Sequence, residues 1–159
     1  MEAMRKVILM ALALFVWTGC QEMDEPQAKE FTHTGCASRA MTKAAGDAEN
    51  LSLLILRYED GDLRVTRTNA RMNCSIKQGG IVCESSVDGN VIHYKVYEKD
   101  GPNANCICLV EEMSSVVTGL KPGKEYTFDY YCSYGYTPFT FVFKKGLRLV
   151  KEEDSILPF

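Results

Sequence analysis

Cysteine carries the widest choice of chemistry in this chain. Six of its seven cysteines follow Cys20: Cys36, Cys74, Cys83, Cys106, Cys108 and Cys132. As thiolates they could hold zinc or attack a carbonyl, and as disulfides they would only cross-link. Zinc sites usually show two closely spaced pairs separated by a long gap. Here the spacings are Cys74-x8-Cys83, Cys106-x-Cys108 and a lone Cys132, with no CxxC. Disulfides are therefore expected, and no metal. A Cys-His nucleophile needs an imidazole, and the chain has two histidines, His33 and His93. His93 falls on the solvent side of a predicted strand, and a disulfide sulfur is no nucleophile. Neither GxSxG nor SxxK occurs. Glu111-Glu112 and Glu152-Glu153-Asp154 are acidic clusters of the kind that hydrolyse glycosides or bind calcium. Adjacent strand residues point to opposite faces, so Glu111 and Glu112 should not converge. The second cluster reads as a solvated end. The sequence thus gives no catalytic residue and no cofactor, and the expectation is that the protein is not an enzyme.

Aromatic side chains are the remaining chemical lead. Tyr130, Tyr131, Tyr134 and Tyr136 crowd one segment, with Phe139 beyond. Exposed tyrosines give rigid, amphipathic contact area and can stack on sugar rings. Tyr130 alternates with Tyr126 and should be buried. Tyr134 and Tyr136 flank Gly135 and are the candidate binding aromatics.

The elements that position these residues read as short strands. LSLLILRY (51–58) leads to the hairpin dipeptide Asp60-Gly61, and DLRVTRT (62–68) follows. RMNCSIK (71–77), IVCESSV (81–87), VIHYKVYE (91–98), CICLVEEMSSVV (106–117), EYTFDYYC (125–132) and PFTFVFKKGLRLV (138–150) complete the set. Such spacing, with no sustained helical period, predicts an all-β antiparallel sandwich of about seven to eight strands. Alternation places Ile92, Tyr94 and Val96 on one face, without His93, Lys95 and Glu98. It likewise groups Phe139, Phe141 and Phe143, and Tyr126, Phe128, Tyr130 and Cys132. Stacking two such faces would bury the core.

Register then bears on the disulfides. With Gln78 and Gly79 as a two-residue turn, Cys74 faces Cys83 at a non-hydrogen-bonded pair, where side chains approach most closely. This predicts a Cys74–Cys83 bridge. A turn centred on Gly79-Gly80 instead moves Cys74 opposite Ser85. Cys74 would then reach Cys106 or Cys108, and Cys132 would take whichever is left, or Cys36.

The N-terminus sets the compartment. Arg5 and Lys6 precede an unbroken apolar run, Val7 to Trp17, and then Thr18-Gly19-Cys20. A charged start and a short apolar run describe a secretory signal peptide. The run is too short to span a bilayer, which takes about 20 apolar residues. Trp17 is unsuited to an ordinary cleavage site, where small residues are wanted. The Gly-Cys junction resembles a lipobox, which implies lipid on Cys20 and cleavage just before it. An exported chain meets an oxidising compartment, which favours disulfides. Residues 1–19 hold two of the 18 basic and one of the 21 acidic residues, leaving a net charge of −4. That balance gives no support to nucleic-acid binding. The expected organisation is a signal peptide (1–19), a lipidated flexible tether (20–50), the sandwich (51–150) and a C-terminal tail (151–159).

Two resemblances refine this picture. In VVTGLKPGKEYTF (116–128), Leu120, Pro122, Gly123 and Tyr126 resemble the E–F corner of fibronectin type III and related immunoglobulin-like domains. That implies an immunoglobulin-like sandwich with a tyrosine corner. The acidic run Cys20-Gln21-Glu22-Met23-Asp24-Glu25, with Asn105-Cys106-Ile107-Cys108-Leu109 and Gly119 to Gly123, resembles small Bacteroidota-type surface lipoproteins. This implies an outer-membrane or cell-surface location. The expected function is a non-catalytic binding or accessory module for a protein or glycan, anchored through Cys20. The alternative is a structural component of an envelope assembly that pairs an edge strand with a partner.

Overall fold

A computed structural model describes residues 28–37, 51–101, 105–132, 135–136 and 138–152. Strands β2 (Leu53–Glu59) and β3 (Asp62–Asn73) form the first hairpin. Glu59 pairs with Asp62, which leaves Asp60 and Gly61 as the turn, at φ 52° and 101°. Two positive φ angles give the mirror-image turn whose twist matches paired strands. β3 pairs along β6 (Ile107–Val117), β1 (Ala28–His33) borders β6 on its other side, and β10 (Arg148–Glu152) borders β2. This first sheet, β1-β6-β3-β2-β10, is antiparallel throughout.

The second sheet begins with the hairpin of β4 (Ile81–Asp88) and β5 (Val91–Glu98), which turns at Gly89-Asn90. β5 borders β7 (Glu125–Cys132), which also pairs with β8 (Gly135–Tyr136) and β9 (Phe139–Val142). The β5–β7 pair is parallel, so this sheet is mixed rather than wholly antiparallel. The chain leaves β5, crosses to the first sheet as β6 and returns, so β5 and β7 run in the same direction.

The two sheets pack face to face as an all-β sandwich. Leu54, Leu56, Leu63 and Val65 come inward from one sheet, and Ile92, Val96, Phe128 and Tyr130 from the other. On β5 and β7 the inward positions follow the predicted alternation. Glu98, expected outside it, is instead buried at 4% exposure, and its carboxylate accepts the Asn73 N–H at 2.9 Å. Tyr126 is 3% exposed, and the Lys121 backbone N–H donates to its Oη at 2.9 Å. This is tyrosine-corner geometry: the ring fills the core while the hydroxyl ties back the loop upstream.

Four boundaries differ from the sequence reading. Residues 28–37, placed in the tether, contribute β1, and Phe31 and Cys36 pack against the core. The 71–77 segment is not a separate hairpin strand. β3 continues to Asn73, a single helical turn α1 (Ile76–Gly79) follows, and the chain enters the opposite sheet as β4. Residues 138–150 are two strands, β9 and β10, in different sheets. Lys151 and Glu152, assigned to the tail, complete β10.

The predicted Cys74–Cys83 bridge falls with that hairpin. Cys74 follows β3 in one sheet and Cys83 lies on β4 in the other, so no register brings them face to face. The bridges are Cys74–Cys106 and Cys36–Cys108, each with Cα atoms 5.6 Å apart, inside the range a disulfide allows. Cys83 and Cys132 are free thiols.

Candidate binding face

Strand alternation gives the second sheet two unlike faces. The inward one is apolar and meets a few polar groups that the first sheet turns toward it. Arg67 is 7% exposed, donates from Nη1 to Cys132 Sγ, and holds its guanidinium 5.8 Å from the Tyr130 ring centre. The Cys132 thiol in turn approaches Met72 Sδ at 3.8 Å. Tyr94 Oη and Ser115 Oγ lie 2.5 Å apart. Burial pushes the Cys83 thiol above its ordinary range, against the opposing pull of hydrogen bonds to Tyr94 and Ser115. Burial also raises the Tyr94 phenol well above its usual value. Cys83 pairs in register with Val96, and Val96 with Cys132. Their Cα atoms are thus two strand spacings apart, roughly 9–10 Å, beyond the ~7 Å Cα limit for a disulfide.

The outward face carries the exposed chemistry in two rows across the strands. Ser86, His93 and Asp129 are register partners on β4, β5 and β7. His93 Nδ1 is 2.7 Å from Asp129 Oδ2, with the imidazole half exposed. The next row is Glu84, Lys95 and Tyr131, and Tyr136 on β8 occupies the register position across from Tyr131. Tyr131 is 42% exposed. Lys95 Nζ sits 4.5 Å from the Tyr97 ring centre and 5.8 Å from that of Tyr131, a cation–π arrangement that holds both rings beside one ammonium. The Tyr97 hydroxyl donates to Glu84 Oε1 at 2.6 Å, and that bond is the main cause of its raised phenol pKa.

Of the two candidate aromatics, Tyr134 lies outside the described residues. Tyr136 is placed by its backbone next to Tyr131. Tyr131 and Tyr97 were missed as candidates, yet their signal was available. If Tyr130 and Cys132 point inward, Tyr131 must point outward, and Tyr97 follows from Val96 in the same way. Cys20 and the Glu153-Asp154 part of the acidic tail also lie outside the described residues.

This arrangement offers ring faces, fixed carboxylates and an imidazole on a rigid sheet. A Cys-His nucleophile is not assembled, because Cys83 faces inward and His93 outward on the same sheet. His93 makes its hydrogen bond to Asp129 and none to Ser86. Glu111 and Glu112 were expected on opposite faces, but both are exposed. Near Asn69, at φ 53°, the inward positions shift from Leu63, Val65 and Arg67 to Ala70 and Met72 on β3. β6 shifts with it, between Val110 and Met113. Among the described residues, no three His, Cys, Asp or Glu side chains converge on a possible metal position. No protein-family model, curated protein or solved structure matches the chain.

Proposed function

We propose that this protein is a non-catalytic, lipid-anchored surface module that presents the outer face of β4, β5 and β7 to a protein or glycan ligand. The observation that carries this reading is the outward-facing Tyr97–Lys95–Tyr131 cluster beside the His93–Asp129 pair. Exposed aromatics on a stiff scaffold supply contact area at little entropic cost. The charged start, short apolar run and Gly19-Cys20 junction support export and anchoring at the outer membrane or cell surface. Capture of proteins and polysaccharides on intact cells tests the reading. The parent should retain a ligand that a Lys95→Ala/Tyr131→Ala variant, displayed at the same level, does not. Equal capture by both would remove this face from consideration.

The edge-strand alternative has one observation in its favour. Among the described strands β10 pairs with β2 alone, and its Val150 is 48% exposed. Envelope proteins that co-purify with the parent and are lost on Val150→Lys would favour assembly through that edge.

A further inference from the structure

We infer that the outer face of β4, β5 and β7 is a site for an uncharged glycan, with Tyr131 and Tyr97 as its stacking rings and Asp129, His93 and Glu84 as its hydroxyl partners. The inference rests on the binding-face reading above and names the ligand class for that face.

Charge selects among possible ligands. By strand alternation, the outward positions of these strands include Glu84, Asp88, Glu125 and Asp129, against one lysine, Lys95. The ammonium of Lys95 is already directed at two rings. Lys124, at the end of the sheet, spends its own on the Gly89 carbonyl at 2.9 Å. Anionic polymers, including acidic polysaccharides and nucleic acid, therefore meet net repulsion here. The rings are interleaved with carboxylates rather than set in an aliphatic hollow, which disfavours an apolar peptide. An uncharged saccharide matches both features. Its C–H faces pack on aromatic rings, and its hydroxyls donate to fixed carboxylates in charge-assisted bonds. Those carboxylates are held in place before any ligand arrives. Glu84 is fixed by the Tyr97 hydroxyl at 2.6 Å and Asp129 by His93 at 2.7 Å. Preorganisation of this kind lowers the ordering cost of binding.

The test uses the full chain in detergent micelles on immobilised polysaccharides. The uncharged set is glucan, mannan, galactan and xylan, and the anionic set is polygalacturonate and hyaluronan. Retention on at least one uncharged polymer is expected, with none on the anionic pair. Tyr131→Ala should weaken retention roughly tenfold, equivalent to about 1.4 kcal/mol. Asp129→Asn should weaken it severalfold, and Arg57→Ala, at an exposed position on the other sheet, should leave it unchanged. Thermal midpoints equal to the parent's would show that the exposed Tyr131 site tolerates substitution. No retention on any uncharged polymer, preference for the anionic pair, or retention indifferent to both Tyr131→Ala and Asp129→Asn would each overturn the inference. Tyr131-dependent capture of a protein without any saccharide would overturn it while leaving the binding-face reading intact.

Discussion

The Tyr126 corner should make two separable contributions to stability. The ring is 3% exposed and lies 6.3 Å, centre to centre, from the Phe141 ring. The hydroxyl takes one hydrogen bond, from the Lys121 N–H at 2.9 Å. Tyr126→Phe keeps the packing and removes the bond. Lys121 is exposed, so water can satisfy its freed N–H, and the cost should stay near 1 kcal/mol. Tyr126→Ala removes the ring from the core, at a cost of about 3–5 kcal/mol. With a urea m-value of about 2 kcal/mol/M, the midpoints should fall by roughly 0.5 M and 2 M respectively. Urea titrations followed by circular dichroism would read both. An alanine variant as stable as the parent would refute the packing argument. A phenylalanine variant as damaged as the alanine one would show that the hydroxyl, not the ring, dominates the corner.

Three further outcomes are expected. Non-reducing peptide mapping should recover Cys36–Cys108 and Cys74–Cys106, with the buried Cys132 alkylated only after unfolding and the half-buried Cys83 alkylated slowly before it. The loops closed span 72 and 32 residues of sequence separation, so chain entropy predicts that removing either bridge costs about 4 kcal/mol. A Cys74–Cys83 peptide would contradict the topology. Stability should fall in alkali: the Cys83 thiol and Tyr94 phenol have folded pKa values above their unfolded ones, so the unfolded chain releases these protons first. Their contribution is complete below the ordinary values of about 8.5 and 10 and is lost as pH rises through the higher folded values. A denaturation midpoint that is flat from pH 8 to 11 would count against it. Finally, mass spectrometry should find an acylated Cys20 at the mature N-terminus, and Cys20→Ala should release the protein from membranes. An unmodified N-terminus elsewhere would end the anchoring proposal.

The sandwich was legible because alternation is a local signal. Ile92, Tyr94, Val96, Tyr126, Phe128 and Tyr130 announce a buried face residue by residue, and Asp60-Gly61 and Asp88-Gly89-Asn90 mark turns by dihedral preference. Sheet membership was not legible. Whether the chain after Asn73 doubles back or crosses to the other sheet depends on long-range pairing, and Gln78-Gly79-Gly80 is compatible with either. The Cys74–Cys83 expectation took the local choice, and the topology takes the other. The Ala28–His33 strand was hidden for a related reason. Its half-buried Phe31 gives too little hydrophobic pattern, and what holds it is a partner strand and the Cys36 bridge to Cys108. The proposed binding face was half legible. Parity places Tyr131 and Tyr97 outward, but their convergence on Lys95 requires the parallel β5–β7 pairing, which no local pattern encodes.

The disulfides and the proposed face divide the sandwich by task. Cys106 and Cys108, two residues apart, reach in different directions. Cys108 ties β6 to the segment after β1, and Cys106 ties its start to the end of β3. β6 is thus cross-linked towards both of its neighbours in the first sheet, and β1 is the first described strand after Cys20. Under the anchoring proposal, a pull from the membrane reaches β1 before any other described strand, and among the described strands β1 is an edge of its sheet. The Cys36–Cys108 bridge passes that pull directly to β6. The proposed ligand face lies on the other sheet, on strands that hold no cross-link and take no part in the anchor. Opening the Cys36–Cys108 bridge should therefore weaken resistance to detachment of β1 before it disturbs the Tyr97–Lys95–Tyr131 cluster.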